Sequence, residues 1–187
     1  MIADQTKWNE RHAGRTGHHP ADTYLLKMQH HLKPGRLLDI ASGRGRNGLH
    51  LAKSGYDVLA VDISNIGLEA IQDAANLNNL NIKTLLLDLD HPQALMSDGP
   101  FDNVIIINFK PLKNLLDLMP DLLVAGGKLL WCSFNELQID VSGFNPDKAL
   151  YPAEFVSHFK KLNLIDYCRF EDASGHRDGY LFERNSV

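Results

Sequence analysis

Residues 37–48 read Leu37-Leu38-Asp39-Ile40-Ala41-Ser42-Gly43-Arg44-Gly45-Arg46-Asn47-Gly48, an apolar strand that runs into a glycine-rich turn and then into a helix. Gly43 and Gly45 allow backbone conformations closed to other residues and let the chain come close to a ligand. The helix beyond presents N–H groups that have no partner within its own first turn, so a nucleotide-like ligand fits there. Further along, Gly55 is placed to stop that helix, and the next strand ends at Asp62. A carboxylate at that distance from the glycines can accept hydrogen bonds from two ribose hydroxyls. Ser64 is positioned to cap the following helix.

Glycines followed by a distal acid fit a dinucleotide fingerprint about as well as an adenosylmethionine site. Three features favour the second. Asp39 lies inside the first strand, where a dinucleotide-binding strand is normally apolar, and a buried carboxylate there needs partners that the glycine-turn amides can supply. Asp88 ends the third strand, within reach of an adenine amino group, with Asp90 as its substitute. The chain after Asn108 is too short for the separate substrate domain of a typical oxidoreductase. An NAD-dependent oxidoreductase or dinucleotide sensor remains the alternative, and a non-catalytic SAM-binding protein the second.

Outward from this segment, β-like runs alternate with helical patterns, which argues for a parallel sheet flanked by helices. Strands are expected at residues 36–40, 56–61, 82–87, 101–107 and 128–134, most of them continuous apolar runs suited to strands covered on both faces. Ala21, Tyr24, Leu25, Met28 and Leu32 form a helical stripe ended by Pro34 and Gly35. Leu112, Leu115, Leu116, Met119, Leu122 and Leu123 form another, opened by Pro111 and closed before Gly126 and Gly127. A Gly, Asn, Pro and Asp-rich loop over residues 135–151 suits a binding element. A short helix is expected at 152–159. Strands at 164–170 and 179–183, separated by the turn-rich stretch 171–178, read as an antiparallel hairpin.

The chain has 187 residues, 44% of them hydrophobic, enough for one substantial core. A net charge of −4 gives no field that would draw it to nucleic acid or an anionic membrane. No stretch is long and apolar enough to span a bilayer, and the N-terminus lacks a targeting pattern, so the expected location is cytoplasmic. Cys132 and Cys168 sit in apolar strand-like segments and read as inert core residues. The nine histidines lack metal-ligand spacing, so no metal is expected.

With these motifs in order, the sequence resembles the class I SAM-dependent methyltransferases, and within them the small bacterial group similar to tellurite-resistance methyltransferases. Residues 37–64 look like their first motif and the acidic end of the second strand. Leu87-Asp88-Leu89, Phe101-Asp102 and Ala125-Gly126-Gly127-Lys128-Leu129 look like the later motifs, and Trp8-Asn9-Glu10-Arg11 is similar to the group's opening. The resemblance implies one Rossmann-like α/β domain over residues 1–187. Its doubly wound sheet would have seven strands in the order 3-2-1-4-5-7-6, strand 7 antiparallel, with helices on both faces. Residues 1–33 would form a helical cap, 36–134 the donor-binding core, and 135–187 the substrate loop, helix and terminal hairpin.

Carried over position by position, the resemblance implies that Asp39 orders the turn near the methionine end of S-adenosylmethionine. Ala41, Ser42, Gly43, Gly45 and Ile63 would face that donor, Asp62 would hold the ribose, Asp88 with Leu89 would flank adenine, and Asn108 would line the floor beside the sulfonium. Ala41 replaces a frequent family glycine, a change expected to be sterically mild, and Phe109-Lys110-Pro111 departs from the pattern of near relatives. The acceptor would be a small molecule and the protein a monomer or homodimer. Trp8 and Arg11 are candidates to fold over the donor, and Arg44 and Arg46 to attract an anion. His18, His19 and Tyr151 fall in loops expected to border the site, while Lys160 and Lys161 suit a solvated face.

Overall fold

The computed structural model describes every residue except Met1, Thr16, His18 and Val187. Seven strands, β1 (Arg36–Ile40), β2 (Asp57–Asp62), β3 (Ile82–Leu86), β4 (Phe101–Ile107), β5 (Leu123–Phe134), β6 (Leu162–Asp172) and β7 (Gly175–Arg184), make one sheet in the order β3-β2-β1-β4-β5-β7-β6. Strands β1 to β5 are parallel, and β7 lies antiparallel between β5 and β6. This is the expected order.

The continuous apolar runs serve two cores at once, because successive side chains of a strand leave opposite faces. Leu38, Ile40, Val104, Ile106, Leu129 and Trp131 enter one core, while Leu37, Ile105, Ile107, Leu130 and Cys132 enter the other. Helices α2 (Thr23–Met28), α3 (Arg46–Lys53) and α4 (Asn65–Asn78) bury their apolar stripes in the second core. On the opposite face, α5 (Leu95–Asp98) and α6 (Lys113–Leu118) contribute Leu95, Leu115 and Leu116 to the first. Helix α1 (Ile2–Ala13) packs on α4, and the short α7 (Leu137–Ser142) packs near β7.

Four local expectations are corrected. The stripe from Leu112 to Leu123 is not one helix: α6 ends at Leu118, a 3-10 turn with Pro120 near its start follows, and Leu123 already belongs to β5. Proline lacks the N–H that a continuing α-helix would use. Pro111 also lies outside this helix, whose N-cap is Leu112 in extended conformation. Residues 152–159 form successive turns rather than a helix, although Phe155 and Phe159 are buried as such a helix would have required. Finally, the stretch 171–178 is mostly strand, because the reversal needs only Ala173 and Ser174, with Asp172 accepting from the Ser174 amide at 2.8 Å.

Strand β1 pairs with β2 on one side and β4 on the other, so the direction of chain progression reverses beside it. In open α/β sheets a crevice forms at the carboxyl ends of the strands at such a switch point. Among the described residues no helix is long and apolar enough to cross a membrane.

Candidate donor-binding site

At the end of β1 the chain turns through Ala41 (φ 54°), Gly43 (φ 57°) and Gly45 (φ 77°) before entering α3. All three lie in the left-handed region. The exchange at Ala41 is therefore not sterically mild as expected, because an L-residue with a Cβ is strained there by about 1 kcal/mol or more. Gly45 is required twice over, since a Cβ would stand 2.5 Å from Ile71 Cγ1 of α4. The first turn of α4 also lies against the glycine turn: a Cβ at Gly67 would stand 2.4 Å from the Gly43 carbonyl oxygen.

Asp62, at the tip of β2, is buried and holds both elements. One carboxylate oxygen accepts from the Gly43 amide at 2.8 Å, and the other accepts from the Ser64 amide at 2.8 Å. Each oxygen keeps a further lone pair with which to meet a hydroxyl. Ser64 caps α4 as expected, its hydroxyl accepting from the Gly67 amide at 3.1 Å.

Asp39 accepts from the Gly48 amide in the first turn of α3, at 3.0 Å, rather than from the glycine-turn amides. Complete burial pushes its carboxyl up to about 7; the negative charge of Asp62 adds to this, against the Gly48 N–H and Arg46. Ser42 donates its amide to the Val61 carbonyl at 3.0 Å. Ile63 is half-buried between Asp62 and Ser64.

The adenine-side candidates lie alongside, since the Leu87 amide donates to the Asp62 carbonyl at 3.0 Å. The Asp88 carboxylate accepts from the Asp90 amide at 3.0 Å, Asp90 is exposed, and Leu89 is buried in the core with Ile40 and Val61. Asn108 follows β4 in left-handed conformation, exposed, its amide donating to the Cys132 carbonyl at 2.7 Å. The sheet thus brings the candidates from Asp39 to Leu89 together at the tips of β1 to β3, with Asn108 beside them at the end of β4.

These residues fit a polar, adenosine-bearing ligand. Three buried side-chain atoms around the turn, His12 Nδ1, Ser42 Oγ and Arg44 Nε, have no hydrogen-bond partner among the described residues. Buried polar atoms are normally paired, so such a cluster calls for an external partner.

Asn9 and His12, to which the sequence assigns no role, also frame the turn, beside the candidates Trp8 and Arg11. Asn9 of α1 accepts from the Ser64 hydroxyl at 2.7 Å and donates to the Asn65 side chain at 2.7 Å, fastening α1 to the start of α4. His12 is buried beside Gly43. Trp8 stacks on His12 with ring centroids 5.9 Å apart, and the exposed Arg11 lies over the Trp8 ring. Because α1 is polar, no apolar periodicity marks Asn9 or His12.

A second group locks the rim. Asp22 caps α2 through the Tyr24 amide at 3.0 Å and accepts at 2.8 Å from each of Arg46 and Arg177. Arg177, fully buried on β7, also pairs with Asp172 and donates to Thr23 Oγ1 and, at 3.4 Å, to Asn108 Oδ1. Asn47 accepts from the Asp22 amide at 2.9 Å. Asp22 carried a readable signal, a capping residue before a helical stripe; Arg177 lay in a stretch that reads as a turn. Arg46 is thus committed to Asp22, and Arg44 donates to the His12 carbonyl at 3.1 Å.

His19 and Tyr151 are exposed, the latter beside the Lys110 ammonium, and His18, expected to border the site, lies outside the described residues. Among the described residues no group of three or more His, Cys, Asp or Glu could hold a metal.

The fold superposes on solved S-adenosylmethionine-dependent methyltransferases. One from Clostridium acetobutylicum aligns with a TM-score of 0.71 at 15% identity, covering 98% of this chain and 93% of that one. TehB from Haemophilus influenzae aligns with a TM-score of 0.69 at 20% identity, covering 87% and 61%. The class is therefore that of the Rossmann-like methyltransferase fold.

Within it the family is also determined. The sequence model of the family described as Tellurite resistance protein TehB matches residues 10–127, well over half of the chain, and the chain belongs to that family. A Haemophilus influenzae protein named as a probable S-adenosyl-L-methionine-dependent methyltransferase TehB is 36% identical over 59 residues, 32% of this chain. The matched stretch spans 21% of that relative's length.

Proposed function

We propose that the chain binds S-adenosylmethionine across the carboxyl ends of β1, β2 and β4 and transfers its methyl group to a small-molecule acceptor. The observation that carries this reading is the turn at Gly43, held to the Asp62 carboxylate at 2.8 Å in a chain of the TehB family. In this reading the Asp62 carboxylate accepts hydrogen bonds from the ribose hydroxyls, Ile63 lies beside it along the donor, and Asp88 with Leu89 borders adenine. Ala41, Ser42, Gly43 and Gly45 lie along the donor, Asp39 orders the methionine end through α3, and Asn108 lines the floor beside the sulfonium.

The bound donor supplies a methyl group on a sulfonium, an already activated leaving group for an in-line displacement. The protein's own task is then alignment and exclusion of water. The Asp22, Arg46 and Arg177 group fixes the rim, and α1 covers the glycine turn, so the site is shaped before an acceptor arrives. No side chain need act as a nucleophile, and a base is needed only for an acceptor that must lose a proton. The net charge of −4 favours a small acceptor over nucleic acid.

A thermal-shift panel tests the reading. S-adenosylmethionine and its demethylated product should raise the melting temperature and NAD should not; the reverse pattern would favour a dinucleotide enzyme. Incorporation of tritiated methyl groups into thiols, oxyanions and metabolite extracts then separates a transferase from a protein that only binds the donor.

A further inference from the structure

We propose that His12 is a donor-binding residue on the ribose side of the site, roofing the glycine turn from α1 and offering a ring nitrogen to the bound nucleoside. This rests on the donor site proposed above. His12 is buried, 6% exposed, on a helix whose other described residues are exposed or half-buried. Its Cε1 and Nε2 lie 3.4 and 3.7 Å from where a Cβ of Gly43 would stand, and its Cδ2 lies 3.4 Å from that of Gly67. The ring is therefore wedged between the glycine turn and the first turn of α4, with Trp8 stacked against it.

Packing alone does not account for a histidine here. An apolar ring would fill the same space without leaving Nδ1 buried and without a partner among the described residues. The surroundings favour the neutral imidazole: burial lowers its pKa, as do Arg15, Arg44 and Arg11, with Asp62 opposing them. A neutral imidazole donates from one nitrogen and accepts on the other, whereas the Asp62 carboxylate only accepts. Ribose hydroxyls do both, so the two side chains are complementary partners for them. Asn9 on the start of α4 and Arg44 on the His12 carbonyl hold the ring at that place.

The test is titration calorimetry with S-adenosylhomocysteine and with 5′-methylthioadenosine, which keeps the ribose and lacks the amino-acid end. His12→Phe should weaken both by the same factor, roughly three- to tenfold, the worth of one neutral hydrogen bond. Its ligand-free melting temperature should not fall, and His12→Gln, which can donate and accept, should recover part of the affinity. Should His12→Phe fail to fold, the ¹⁵N signals of the His12 ring in the wild-type chain serve instead, and they should shift when S-adenosylhomocysteine is added. A folded His12→Phe chain with wild-type affinity, or unmoved ring signals in a chain that binds the ligand, overturns this inference alone. A wild-type chain that does not bind S-adenosylhomocysteine overturns the donor-site reading beneath it as well.

Discussion

The Asp62 carboxylate and the Gly43 amide are joined at 2.8 Å, tying the turn after β1 to the tip of the neighbouring strand β2. The second oxygen of the same carboxylate holds the Ser64 amide at the entrance to α4. Asp62 therefore shapes the turn and the start of α4 by itself, in addition to the ribose contact proposed for it. Asp62→Ala is expected to weaken S-adenosylmethionine binding by about 1.5–3 kcal/mol, roughly ten- to hundredfold. It should also lower ligand-free stability, because two backbone amides lose their acceptor. Calorimetry and thermal denaturation read the two effects separately, and a folded variant with unchanged donor affinity would remove the ribose assignment.

Ala41 has a left-handed backbone that glycine adopts without strain. Ala41→Gly should stabilise the chain by about 0.5–1 kcal/mol, the relief of strain outweighing the added freedom of the unfolded chain. A rise of about 2–4 °C in melting temperature per kcal/mol is the expected readout for a domain of this size. A lower melting temperature would show that the turn carries no strain at this position.

Gly45 presents the opposite case. Gly45→Ala combines a left-handed backbone with a Cβ only 2.5 Å from Ile71 Cγ1, and should cost about 2–4 kcal/mol. Adding Ile71→Ala removes the clash and not the backbone strain. The double variant should therefore lose less than the sum of the single losses in urea denaturation. Strict additivity would place the clash elsewhere.

Asp39 makes stability depend on pH. Burial raises its folded pKa from 3.8 to about 7, so the stability it contributes is fully present below 3.8 and is lost as pH rises through about 7. His12 works in the other sense: its lowered value means that stability is lost as pH falls below 6.5. Comparison with Asp39→Asn isolates the first effect. Between pH 4.5 and 8 the wild type should lose about 2–4 kcal/mol relative to this variant in denaturant titrations. Parallel curves would mean that Asp39 is ionised throughout.

Arg177 is fully buried between Asp22 and Asp172, and removing its charge takes a cationic partner from two buried or half-buried carboxylates. Arg177→Leu should cost about 3 kcal/mol, at the lower end for a broken buried pair because Asp22 keeps Arg46. Urea denaturation measures this. A loss below about 1 kcal/mol would reduce the cluster to a surface-like ion pair.

Strands β1 and β4 were legible to the residue, because each is an apolar run flanked by glycine, proline or a polar turn. The stripe over residues 112–123 reads as one helix because its apolar spacing continues through Pro120, while only the backbone decides whether that spacing is met by helix, 3-10 turn or strand. The turns at 152–159 show the same limit: Phe155 and Phe159 reach the core without a helix. At the site, Asp39, Gly43, Gly45 and Asp62 were recognisable from spacing. His12 and Arg177 were not, and Asn9 showed only as part of a family-like opening, since a polar residue on a polar helix or near a turn has no local mark of burial.

The strand, the glycine turn and the acid at the next strand tip follow from the sequence by itself, because left-handed backbone, strand alternation and helix capping are settled among residues close along the chain. Only the tertiary structure decided what surrounds the turn. Packing α1 on α4 buries His12 against Gly43, and the sheet order carries β7 back to α2, so that Arg177 meets Asp22 across 155 positions. Burial is the physical reason: it turns an ordinary histidine and arginine into groups whose partners the fold must supply.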